Sequence, residues 1–222
     1  MSDVSKLTRS GGHGPSSGRP PALQRAADAV RALTSLPVVD LTVDGVLMLV
    51  AFQPDDCEHR RRTALDVGAV TSTGLLHGLW LLPSGLPVPV TQVPDHKRRH
   101  LDAAPNLVAV TDAGYQRSYS PPGVVRAVAF GGSKIGRALQ RAARFTPIVQ
   151  RLVYSEGPMR PSPARVSEAA EAGVGLFECV ASNARLLLEP SPAEVGVPAV
   201  YRWWIAELAY ERWIYESAQP VS

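Results

Sequence analysis

Between residues 22 and 36 the apolar positions Leu23, Ala26, Ala27, Val30 and Leu33 recur at helical spacing, with Arg25, Asp28 and Arg31 between them. This pattern predicts an amphipathic helix. Val38 to Phe52 switches to strand-like runs on either side of Asp44-Gly45, a dipeptide whose two positions accept positive φ, so two strands joined by a tight turn are expected. Gln53 to Arg61 is polar and reads as a solvated loop. β-like runs follow at Thr63 to Thr71, Leu76 to Leu82 and Pro87 to Val93, with Gly and Pro between them. Asp95 to Ala103 is a charged helical connector containing Lys97-Arg98-Arg99-His100.

The second half alternates more clearly. Strands are expected at Asn106 to Thr111, Val124 to Phe130 and Ile148 to Tyr154, with a turn-rich loop after the first of them. Helices are expected at Lys134 to Phe145 and Pro163 to Ala172, followed by a strand pair at Val174 to Val180 and Ala184 to Glu189. Val200 to Glu216 reads as a packed, aromatic helix. This order predicts an α/β fold, a mixed central sheet flanked by helices. It divides into a disordered tail (1–21), a strand-rich N-terminal region (22–100), an α/β core (101–190) and a C-terminal aromatic helix (191–222).

Composition adds bounds. Of 222 residues, 45% are hydrophobic and 19% charged, which fits a globular chain. The net charge of +3 is too small to argue for a polyanionic partner by itself. Cys57 and Cys179 lack metal-ligand or disulfide-framework spacing, so reduced thiols and a cytoplasmic location are expected. No apolar run approaches the roughly 18–20 residues that cross a bilayer. Met1 to Pro21 is rich in Ser, Gly and Pro and lacks the apolar centre of a signal peptide.

One stretch carries a resemblance. Pro105-Asn106-Leu107-Val108-Ala109-Val110, the run Val124 to Phe130, Arg137-Ala138-Leu139-Gln140-Arg141-Ala142-Ala143-Arg144-Phe145, Arg151-Leu152-Val153-Tyr154 and Glu171-Ala172-Gly173-Val174-Gly175-Leu176-Phe177 follow one another in order. This series resembles the core of the PD-(D/E)XK restriction-endonuclease-like superfamily. There, Pro-Asp opens a strand, Glu-x-Lys lies on a later strand, and a helix rich in Gln, Arg and Ala follows. The resemblance implies a nuclease-like core, in which Asp and Glu hold magnesium and Lys helps activate water.

The departures matter as much as the likeness. Asn106 stands at the Asp position, and Ala127-Val128-Ala129-Phe130-Gly131 stands where Glu-x-Lys is expected; no Asp or Glu occurs between Asp112 and Glu156. No catalytic residue, metal or cofactor is therefore expected. Charge persists instead: Arg126, Lys134, Arg137, Arg141 and Arg144 are the expected nucleic-acid-binding residues. Arg137, Arg141 and Arg144 fall at i, i+4 and i+7, along one helix face opposite Ile135, Leu139 and Ala142. Guanidinium groups pair with phosphate in bidentate fashion at any relevant pH. The same pattern also fits a solvated helix face beside an ordinary glycine turn.

Other motifs carry less. Gly131-Gly132-Ser133-Lys134-Ile135-Gly136 matches neither a Walker loop nor a dinucleotide fingerprint, though its N–H groups at a helix start suit an anion. Asp55, Asp56, Cys57, Glu58 and His59 lead into Arg60-Arg61-Arg62 and lack a further metal ligand. Ser72, His77 and Asp66 have no nucleophile elbow around them. Trp203, Trp204, Tyr210, Trp213 and Tyr215 place aromatics on most sides of the last helix, so Trp203, Trp204 and Trp213 are candidates for a subunit or partner interface. The expected function is a catalytically inactive nuclease-like domain that binds DNA, RNA or a nucleic-acid-processing partner. The alternatives are an assembly module, or a metal-dependent nuclease built from residues such as Asp44, Asp66 and Lys134.

Overall fold

A computed structural model describes residues 19–132, 134–145, 148–155, 159–180, 183–193 and 199–218. Helix α1 (Pro21–Thr34) leads into a hairpin of β1 (Val38–Val43) and β2 (Val46–Pro54). Asp44 and Gly45 turn the chain at φ of 51° and 74°, the twist a two-residue hairpin needs. After a long excursion the chain returns as β6 (Gly123–Gly131), α5 (Ile135–Arg144), β7 (Gln150–Ser155), α6 (Pro163–Glu171), β8 (Val174–Val180), β9 (Asn183–Leu188) and α7 (Ala199–Ser217). The sheet order is β1-β2-β6-β7-β8-β9. The β6–β7 and β7–β8 pairs are parallel and the other neighbours antiparallel, so the fold is α/β with a mixed sheet.

Its two faces are built differently. One is covered by α5, α6 and α7, whose Leu139, Ala169, Ile205 and Ala209 meet Val50, Val128, Phe130, Val153 and Leu176. Among the described residues, α1 is the helix that crosses the other. There Ala26, Ala27 and Ala29 face Ala51, Ala127 and Ala129, small residues that let helix and sheet approach closely.

The excursion holds α2 (Asp56–Ala64), α3 (Thr73–Trp80), β3 (Pro87–Val88), α4 (Asp95–Asp102), β4 (Val108–Thr111) and β5 (Gly114–Arg117). Its strands form a separate sheet, β3-β5-β4. This layer has its own core of Leu76, Leu79, Leu101, Val108 and Tyr115, joined to the rest through Val200 and Trp203 of α7.

Several expectations are corrected here. The expected loop at Gln53 to Arg61 is largely α2, because the Asp55 side chain accepts from the backbone N–H of Cys57 and Glu58 at 2.9 Å each and so caps a helix start. The strand expected at Thr63 to Thr71 is the end of that helix and a loop. The strand at Leu76 to Leu82 is mostly α3, capped by Ser72. Pro87 to Val93 keeps only two strand residues, since Pro89 has no N–H to donate. The expected turn-rich loop after residue 111 contains β5. Residues 22–100 therefore hold α2, α3 and most of α4 besides the expected α1, together with β1 and β2 of the large sheet and β3 of the small one, and residue 100 lies inside α4. The tail expected at 1–21 lies mostly outside the described residues, which begin at Arg19.

Candidate nucleic-acid interface

Helix α5 follows from its sequence in a direct way. Ala138, Leu139 and Ala142 are buried against the sheet, while Lys134, Arg137, Gln140, Arg141, Ala143 and Arg144 are exposed. From Arg137 to Arg144 the helix rises about 10 Å, so the guanidinium groups form a short line on a rigid support. No carboxylate among the described residues lies within ion-pair distance of Lys134, Arg137, Arg141 or Arg144. Lys134 occupies the cap position with extended backbone.

The turn into α5 depends on close packing. A Cβ on Gly131 would stand 2.1 Å from the Tyr154 ring, so glycine lets β7 lie against the end of β6. Gly132 has open space around it. Ser133, the third residue of the expected anion-binding turn, lies outside the described residues.

Arg165 of α6 joins this face although the sequence pattern did not mark it. Its guanidinium lies over the first turn of α5, with Nη2 3.2 Å from the Cβ position of Gly136. It also pairs with Glu168 in its own helix. Only the sheet order, which sets α5 beside α6, brings it there.

The fifth expected residue stands apart. Arg126 lies about 16 Å of strand away from the end of β6, at the bulge where Ala51 pairs with Ala127 and Phe52 with Val125. Its Nε and Nη2 both donate to Gln53 Oε1, at 3.1 and 3.0 Å. Arg126 is exposed but does not belong to the α5 line. Asn106 is also separated: it precedes β4 in the small sheet, whereas the strands beside β6 are β2 and β7. Phe130 is buried in the core. Asn106, Phe130 and Lys134 therefore do not form one site. Neither β6 nor its two neighbours, β2 and β7, contains Asp or Glu. Among the described residues no three His, Cys, Asp or Glu side chains gather, so Asp44 and Asp66 belong to no such cluster. Comparison with family models, curated proteins and solved structures gave no match.

The aromatic helix requires a correction. Trp203 is 2% exposed, stacks on Tyr119 at 5.9 Å and donates from Nε1 to Glu207 Oε1 at 2.8 Å. It is a core residue and not an interface residue. Trp204 and Trp213 pack partly buried against the main core, so the surface proposed through Trp203, Trp204 and Trp213 is largely used within the chain. Tyr215 remains 46% exposed. No helix among the described residues is long and apolar enough to cross a membrane.

Beneath these rings lies a charged joint that sequence reading missed. Arg62 and Glu207 are each 0% exposed and meet at 2.9 Å. Arg62 also pairs with Glu58 and donates to the Ser120 carbonyl. Glu207 further accepts from Tyr119 Oη and from the Val70 N–H, both at 2.9 Å. Burial alone would lower the Arg62 pKa, yet Glu207 raises it overall. Burial, and then Glu207, push the Tyr119 phenol strongly upward. The spacing Glu58 to Arg62 is visible in sequence; the partner 145 residues away is not.

Acid sensitivity follows from two carboxylates. Burial would raise Glu58, but hydrogen bonds from Arg61 and Arg62 hold it below the usual range. Asp40 behaves likewise: burial opposes Arg19 and Arg212, and the arginines prevail. A depressed folded-state pKa contributes stability that is fully present above the unfolded value, about 4, and is lost as pH falls through the folded value. Urea midpoints should hold between pH 7 and 5 and then decline below about pH 4, with a shallower decline in Asp40→Asn. An equally steep decline in that variant would remove Asp40 from the account.

Proposed function

We propose that this chain is a non-hydrolytic nucleic-acid-binding protein, whose contact surface is the outward face of α5. The observation that carries the reading is the exposed line of Lys134, Arg137, Arg141 and Arg144, none of which pairs with a carboxylate among the described residues. Cations held on one rigid face and not neutralised by their own fold attract the phosphate backbone, largely independently of base sequence. The strand, helix and strand of β6, α5 and β7 keep the order that the resemblance implies for this stretch. The absence of Asp and Glu from β6, β2 and β7 supports binding without metal-assisted cleavage.

The test is titration of labelled 20-base-pair DNA and of a matching single strand with the full chain. Arg137→Ala combined with Arg141→Ala should weaken binding by on the order of tenfold or more near 0.1 M salt, with an unchanged melting temperature because both side chains are exposed. No binding at low salt, or equal affinity in the double variant, would overturn the proposal.

A further inference from the structure

The basic line of α5 borders a row of aromatic rings. Phe145, which follows Arg144 directly at the end of α5, and Tyr201 and Trp204 of α7 are each partly exposed. The Phe145 and Tyr201 ring centroids are 6.4 Å apart, and those of Tyr201 and Trp204 5.5 Å. Phe130 supports Phe145 from the core at 5.6 Å. The row therefore crosses the seam between α5 and α7.

Neighbouring elements fix which flank of α5 faces that seam. α6 packs on β8, α7 on β1, β2 and β6, and α5 mainly on β6 and β7, between the two. Gly136 marks the flank toward α6, because Arg165 Nη2 stands 3.2 Å from its Cβ position. Arg141 lies about 140° round the helix from Gly136, past the outward face, and so on the flank toward α7. The other side of the seam carries the opposite charge. Asp44 is exposed at the β1–β2 turn, and burial, then this carboxylate, raise the Tyr201 phenol.

From α5 to the turn, the order is thus cation, ring and carboxylate. A nucleotide offers the complementary order of phosphate, flat base and, on adenine, cytosine and guanine, an exocyclic amino group that a carboxylate accepts from. In a duplex each base face is closed by its neighbours, whereas an unpaired base is free to stack on a ring. We propose that the seam between α5 and α7 binds a single nucleic-acid strand, with phosphates on Arg137, Arg141 and Arg144, a base against Phe145 and Tyr201, and its amino group toward Asp44. This rests on the reading of α5 as a nucleic-acid-binding helix and narrows its preferred ligand to unpaired strands.

The test is fluorescence anisotropy on the full chain with four labelled DNA probes of about twelve nucleotides, within the usual site size for single strands. They are a strand of alternating dA and dC, its duplex with the complement, an abasic strand and a thymidine strand. The dA/dC strand should bind roughly tenfold or more tighter than the abasic strand, and tighter than the duplex. Phe145→Leu and Tyr201→Leu keep apolar bulk at the seam; each should weaken the dA/dC strand and leave the abasic strand unchanged. A variant that unfolds loses both, and the comparison of probes on the unaltered chain then decides alone. The thymidine strand should bind more weakly than dA/dC, a difference that Asp44→Gly, which suits the positive φ there, should remove. Equal affinity for the dA/dC and abasic strands, or tighter binding of the duplex, would overturn the proposal while leaving α5 as a phosphate-binding face. Equal affinity for thymidine would overturn the part given to Asp44. Absence of binding to every probe at low salt would remove the reading of α5 itself, and this inference with it.

Discussion

Arg62→Met should remove about 3–5 kcal/mol of folding stability, the usual loss when one partner of a buried ion pair is deleted. The change strands Glu207, which is 0% exposed, with three neutral donors and no cation. It also removes the guanidinium from above the Tyr119 and Tyr210 rings, where it stands 4.1 and 4.8 Å from their centroids. Domains of this kind are stable by roughly 5–15 kcal/mol, so a large share of the total is at stake. The joint ties α2 and the inserted layer to α7, hence the loss should appear in one cooperative transition. Urea unfolding followed by circular dichroism measures it. Arg62→Lys should retain part of the stability, since it keeps the charge but not the planar fork that serves Glu58, Glu207 and Ser120 together. A loss below about 1 kcal/mol in Arg62→Met would show that the joint is a minor contributor.

Salt dependence of nucleic-acid binding should be the second large effect. With Lys134, Arg137, Arg141 and Arg144 each neutralising one phosphate, log K should fall with log salt at a slope near −3.6. Raising salt from about 50 to 200 mM would then weaken binding by roughly two orders of magnitude. The double variant of Arg137 and Arg141 should halve the slope and reduce that loss to roughly tenfold. Fluorescence anisotropy across a salt series reads both quantities. A flat response, or the same slope in the double variant, would place the contact elsewhere. Arg165 is a useful intermediate case: its pairing with Glu168 already neutralises much of its charge, so Arg165→Ala should change the slope less than Arg137→Ala.

The helices α1, α5, α6 and α7 and the strands β1, β2, β6, β7, β8 and β9 were legible in the chain, each within a few residues. These segments carry long runs of one periodicity, and burial of a single face imposes that periodicity directly. The inserted layer was less legible. Its elements are short, and α2 and α3 are set by caps at Asp55 and Ser72 more than by an apolar stripe. The basic face of α5 was also readable, because residues on one helix fix their own relative directions. Whether its charges were already paired was not, since a neutralising carboxylate is free to come from any distance along the chain.

Sequence alone thus determined the α/β class, the turn at Asp44-Gly45, the line of Arg137, Arg141 and Arg144, and the lack of acidic residues from Ala113 to Ser155. All are properties of neighbours along the chain. Tertiary structure decided that β2 and not β4 lies beside β6, that Arg126 stands away from α5, that Trp203 is core, and that Arg62 meets Glu207. These depend on long-range pairing, where burial, not spacing, chooses which groups come together.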